Sequence, residues 1–209
     1  DFYGGVSKGI EKRTKVKTRI MASALSELIG TAENVLIMGH QFADLDCLGS
    51  AVGMYKAVRQ MGKPAAVVLN RQRNLAFPLY NRLAQNGYAD AFVEPDLAID
   101  LIGKKTLLVV VDTHLPHILE SREVYSACKT VAVIDHHRKM VGHIDNAVIF
   151  YHEPYASSAS EMVTELVQYF GDHVKIGKME AEALLSGIML DTKNFVMKTG
   201  VRTFEAAAY

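Results

Sequence analysis

Three short stretches pair carboxylates with imidazoles: His40, Asp44 and Asp46 in "GHQFADLD", Asp112 and His114 in "DTH", and Asp135, His136 and His137 in "DHH". Each closes a run of apolar residues. Closed structural zinc prefers Cys and His, and magnesium or calcium prefers oxygen alone, whereas mixed imidazole and carboxylate suits Mn2+, Fe2+ or Zn2+. Five or six such ligands are too many for one ion with an open position. Two ions about 3.5–4 Å apart, bridged by one carboxylate, accommodate them, and such a pair binds a phosphoryl oxygen and lowers the pKa of a water towards about 7. The chemistry this points to is hydrolysis of a phosphate ester.

Each residue also has an ordinary use. Asp44 or Asp112 alone reads as a helix N-cap, and His117, His143, His152 and His173 read as hydrogen-bonded loop residues. Asp46 follows a cap already supplied by Asp44, and adjacent imidazoles after an acid are harder to explain away. The coincidence of three clusters at one kind of position carries the metal reading. Cys47, just inside a helix, is taken as a small packing residue.

The elements that would position these clusters alternate. Apolar runs at 34–39, 64–70, 106–113, 130–137 and 146–153 read as strands, several covered on both faces. Helical spacing marks residues 18–29, 47–62, 79–87, 116–127, 157–170 and 178–192, and more weakly 97–103. Pro116 suits a first helical turn, and Ser158 with Glu161 stands at capping-box spacing. Strands alternating with helices predict an α/β fold, a doubly wound and mostly parallel sheet flanked by helices. In such sheets ligands bind beyond the carboxyl ends of the strands, where all three clusters fall.

The composition narrows the classes. With 23 basic and 23 acidic residues in 209, nothing calls for duplex nucleic acid as a partner. Two distant cysteines do not make a disulfide framework and fit a reducing compartment. No apolar run is long enough to span a membrane. Residues 5–19 carry six basic side chains against one acid, read here as a solvated linker or helix face. The absence of an initiator Met and the helical C-terminal residues suggest a fragment. The expected organisation is residues 1–30 as linker and helix, then one domain over 31–209.

The motifs, taken in order, resemble a known family. "HQFADLD" is similar to the H-x3-D-x-D first motif of the DHH phosphoesterase superfamily, "DTH" and "DHH" to its second and third, and "LSGIMLDTKNF" to its fourth. "YGGVSKGIEKRTK", "EPYASSASEMVTEL" and "SGIMLDTKNFVMKTGVRTFEAA" further resemble the GdpP-type cyclic-di-AMP phosphodiesterases. The resemblance implies a metal-dependent phosphodiesterase that opens cyclic-di-AMP to pApA with a water activated by two Mn2+ ions. It implies His40 and Asp44 on the first ion, Asp112 bridging, and Asp46, His136 and Asp191 on the second. Asp135 is then expected to orient His136, and His137 to face the scissile phosphate. The helix beginning after Ser157 and Ser158 offers an N-terminus for a phosphate, although capping alone explains those serines.

The same resemblance implies a homodimer and a parent chain anchored in a bacterial membrane, with this domain on the cytoplasmic face after a degenerate GGDEF domain. The family's DHHA1 domain, with its Gly-rich motif, has no counterpart in the sequence, so metal binding is expected to survive here and turnover to depend on what is missing. Two other readings stay open: an oligonucleotide or pAp phosphoesterase of the same superfamily, and a non-catalytic nucleotide-sensing module. A dinucleotide-binding oxidoreductase is excluded, because "GHQFADLDCLG" does not fit G-x-G-x-x-G.

Overall fold

The computed structural model describes residues 4–209, with side chains from Thr14 onward. Lys8, Glu11, Lys12 and Arg13 of the basic opening therefore have side chains outside the described residues. Strands β1 (Asn34–Met38), β2 (Ala65–Val68), β3 (Phe92–Val93), β4 (Thr106–Val111), β5 (Thr130–Asp135) and β6 (Ile149–His152) form one sheet in the order β3-β2-β1-β4-β5-β6. Every neighbouring pair is parallel. The chain winds outward from β1 to β3, crosses back, and winds from β4 to β6. The reversal lies between β1 and β4, the place where open α/β sheets leave a crevice.

The sheet is buried on both faces, which is why its strands read as continuous apolar runs. Val35, Ile37, Leu107, Val109 and Ile134 face one core with the buried side of α2 (Leu45–Gln60) and α6 (Ala159–Val167). Leu36, Met38, Leu108, Val110 and Val133 face the other, against α5 (Arg122–Ala127) and α4 (Pro95–Ala98). The helix expected over 18–29 is the inner end of α1 (Gly4–Thr31), with Ala22, Leu25 and Ile29 in the core.

Several boundaries differ from expectation. The helix expected over 116–127 is broken into a 3-10 turn at Pro116–Ile118 and α5. Between them Leu119 pairs with His40 as an isolated bridge, and Ser121 restarts the helix by accepting from the Val124 N–H at 3.1 Å. The weak helix near 97–103 is only α4 and a 3-10 turn. The helix over 79–87 begins as α3 (Phe77–Leu83) and kinks at Gly87, whose φ of 92° is left-handed. β3 was not anticipated, whereas α8 (Val201–Ala208) is the helix read from the C-terminal residues.

One close approach sets the geometry of the site. α7 (Lys178–Thr192) lies against α2 and α6 because Gly187 has no side chain. A Cβ there would meet Ser160 Oγ at 2.2 Å and Asp46 Oδ1 at 2.7 Å. Asp191, one helical turn beyond Gly187, is thereby carried to the same crevice.

Candidate metal centre

Three strand ends, those of β1, β4 and β5, lead into the crevice. β1 runs out at Met38, and Gly39 leads into His40. Glycine is required there: a Cβ at residue 39 would stand 2.1 Å from Cys47 Sγ and 3.1 Å from the Val111 carbonyl. Asp44 caps α2, accepting from the Asp46 and Cys47 N–H groups at 3.0 Å each. It also lies 3.9 Å from His40 Nε2, so capping and site membership coexist. Asp112, immediately past β4, adopts φ 61°, a left-handed conformation that Asp tolerates better than most residues. That conformation turns it back over the strand end.

The distances join the six side chains expected to hold metal. Asp112 Oδ2 is 3.3 Å from His40 Nε2, and Asp112 Oδ1 is 3.3 Å from His136 Nε2. His136 Nε2 is in turn 3.7 Å from Asp46 Oδ2 and 3.2 Å from Asp191 Oδ2. Asp112 thus presents one oxygen to each imidazole. Asp112 Oδ1 and His136 Nε2 are both buried without a hydrogen-bond partner among the described residues. Buried polar atoms left unpaired are costly, and a cation between such atoms removes the cost.

Electrostatics points the same way. Burial opposes charge on His40, but the hydrogen bond and charge of Asp112 outweigh it and raise the ring to about 9. Burial likewise opposes His136, and the neighbouring carboxylates Asp112 and Asp191 raise it to about 10. Burial would raise Asp112, yet the two imidazoles hold its carboxyl below the usual range. Asp46 is pushed well up by burial and by the charges of Asp112 and Asp191. Carboxylates crowded against each other in this way need positive charge from somewhere. Ligand atoms from Asp46, His136 and Asp191, and from Asp112, His136 and His137, fall into sets within 4.8 Å that could each hold an ion.

The pattern that defines the DHH family's N-terminal domain matches residues 34–188. The chain belongs to the DHH family. It is 44% identical over 212 residues to the cyclic-di-AMP phosphodiesterase GdpP of Geobacillus thermodenitrificans, and 41% identical over 213 residues to the cyclic-di-AMP phosphodiesterase PdeA of Listeria monocytogenes. All of this chain is covered in both cases, and it spans 32% of the length of each relative. A crystal structure of an exopolyphosphatase-related protein from Bacteroides fragilis shares the fold, with a TM-score of 0.75 at 21% identity, over 90% of this chain and 55% of that one.

Within this DHH domain, the expected partner of Asp135 is corrected, and at α6 the capping reading of Ser158, which accepts from the Glu161 N–H at 3.0 Å, stands over the phosphate one. Asp135 was expected to orient His136. Its Oδ1 instead accepts from His137, at the backbone N–H (3.2 Å) and Nδ1 (2.8 Å), and its Oδ2 is bonded to His114 Nδ1. The reason is geometric: β5 alternates its side chains, so Asp135 and His136 point apart. The N-terminus of α6 does not offer itself to a phosphate. The N–H groups of Ala159 and Ser160 are taken by the two carboxylate oxygens of Asp46, at 2.7 and 2.8 Å. A carboxylate occupies the place an anion would. The capping box at Ser158 is also offset by one residue, because Glu161 reaches back to Ser157.

His114 reads from the sequence as a weaker candidate than His136 or His137, and it is the most deeply set of the described histidines, 1% exposed. Its Nδ1 bonds Asp135 and its Nε2 accepts the Met140 N–H at 3.1 Å, so it braces the DHH loop. Cys47 lies in one ligand set with His40 and Asp112. Burial and the adjacent carboxylates push its thiol well up, and a protonated thiol is a poor ligand.

Proposed function

We propose that this DHH domain is the catalytic centre of a cyclic-di-AMP phosphodiesterase that opens the ring to pApA with two Mn2+ ions. The substrate is argued from the cyclic-di-AMP phosphodiesterases to which the chain is similar along its whole length. The observation that carries the metal reading is the pair of buried, unpartnered atoms Asp112 Oδ1 and His136 Nε2, 3.3 Å apart. Two ions bound there would supply Lewis-acid polarisation of a phosphoryl oxygen and a water that ionises near neutral pH.

The side chains take definite parts in this reading. His40 and Asp44 would hold one ion and Asp46, His136 and Asp191 the other, with Asp112 shared between them. His137 is half exposed, its side chain at 53%, and its Nδ1 is engaged by Asp135. Nε2 is left for the substrate. The hydrogen bond that Asp135 accepts from this ring favours its protonated form, which suits donation to an anionic phosphate. The reading extends to a homodimer and a membrane-anchored parent, as the family resemblance implies; among the described residues no helix is long and apolar enough to cross a membrane.

The test is hydrolysis by the full-length protein of cyclic-di-AMP, pApA, pAp and pyrophosphate with Mn2+, together with anomalous scattering at the manganese edge. Preference for cyclic-di-AMP and paired peaks among the six side chains are expected. Preference for pAp moves the assignment to the phosphatase reading, and a single peak removes the two-ion centre.

A further inference from the structure

A second opening adjoins the metal centre. Gln41, Asn70 and Glu94 stand just past the ends of β1, β2 and β3, and with Phe42, Arg73 and Glu120 they line a cavity of about 530 Å3. That volume lies within the range of sites that enclose a small organic ligand. The wall of the cavity and His40 belong to one hydrogen-bonded ribbon. Leu119 bridges His40, the Gln41 N–H donates to the Ile118 carbonyl at 2.7 Å, and the Glu120 N–H to the Gly39 carbonyl at 2.9 Å.

Phe42 is the unusual residue. Its φ is 56°, a left-handed conformation uncommon for a bulky side chain, and it is 52% exposed. Such a conformation costs on the order of 1–2 kcal/mol. The neighbours impose it, because the Ala43 carbonyl accepts from the N–H groups of Leu75 (2.8 Å) and Ala76 (3.1 Å) while Gln41 is anchored on the other side. An apolar ring is therefore held in water at the lip of a cavity by backbone that leaves it no choice. Strain of this kind collects at ligand sites.

Charge selects what could enter. Glu94 and Glu120, with Asp96 and Glu123 nearby in the wall, outnumber Arg73. A phosphate would be repelled. A neutral group with a flat face and many hydrogen-bonding edges would not. On the phosphodiesterase reading above, on which this rests, we propose that the cavity is a nucleoside subsite, in which the base of the substrate stacks on Phe42. Gln41, Asn70 and Glu120 meet its polar edge and the ribose hydroxyls.

The experiment uses the full-length protein with Mn2+ and two substrates: cyclic-di-AMP, and bis(p-nitrophenyl) phosphate, which has a phosphodiester and no nucleoside. Phe42→Asn removes the ring and keeps a residue that tolerates the left-handed conformation. The KM for cyclic-di-AMP should rise about tenfold, the worth of one base stacked on an aromatic ring. Its kcat and the hydrolysis of bis(p-nitrophenyl) phosphate should hold, and Phe42→Tyr should restore the KM. An unchanged KM for cyclic-di-AMP in Phe42→Asn, or an equal loss on both substrates, overturns the subsite and leaves the phosphodiesterase reading standing. Failure of the unaltered protein to hydrolyse cyclic-di-AMP while it cleaves the simple diester overturns both.

Discussion

Asp112 Oδ1 and His136 Nε2 face each other at 3.3 Å, buried and without hydrogen-bond partners among the described residues, across the gap between the ends of β4 and β5. The same carboxylate turns its other oxygen to His40 at 3.3 Å. Replacing Asp112 by Asn preserves shape and tolerates φ 61°, but removes the charge that both imidazoles face. Mn2+ affinity should fall by at least about a hundredfold, as loss of a ligand must exceed the 10–100-fold cost of losing a ligand's support. Hydrolysis should disappear. Calorimetric titration checks the first and product analysis the second; retained manganese-dependent turnover would count against the centre.

Metal loading should compete with protons. His40 and His136 are raised to about 9 and about 10, against about 6.5 for a free imidazole. Such raised basic groups stabilise the metal-free fold fully below about pH 6.5, and the contribution is lost as pH climbs through their folded values. A metal requires both rings unprotonated, so affinity should strengthen between about pH 7 and 9, by up to about tenfold per unit for each ring. Titrations in buffers of differing ionisation enthalpy should register release of at least about two protons. Affinity flat across that range would refute the assignment.

Gly187→Ala separates propensity from packing. In an open helix this change stabilises by about 1 kcal/mol. Here the new methyl would meet Ser160 Oγ at 2.2 Å and Asp46 Cα at 2.8 Å, and overpacking costs about 1–3 kcal/mol. The melting temperature should fall, and Mn2+ binding should weaken because Asp191 and Asp46 are pushed apart. A rise in melting temperature with unchanged binding would show that α7 yields freely.

His114→Ala should weaken the DHH loop from beneath. It strips one partner from Asp135, a fully buried carboxylate, and leaves His137 as the other. Unpairing a buried group costs about 1–3 kcal/mol, so urea unfolding of the metal-free protein should report a loss of about 2 kcal/mol. A loss under about 0.5 kcal/mol would mean that water replaces the imidazole without penalty.

The alternation of helix and strand, the parallel sheet and the crevice at its carboxyl edge were readable from the residues, because 107–111 and 131–134 are continuous apolar runs, as a strand buried on both faces shows. His40, Asp112 and His136 were readable for the same reason, each following such a run. Asp191 was not: it sits near the end of a helix, where an acid is ordinarily solvated, and only the resemblance to the family singled it out. β3 is two residues long, and the stretch ahead of α5 pairs with the distant His40, so neither leaves a local signal. Who holds whom was decided by folding. Asp46 binds α6 across 113 positions of sequence, and Asp135 turns to His114 rather than to its neighbour. Strand alternation and helix approach set those partnerships, and both are properties of packed elements that spacing along a chain does not encode.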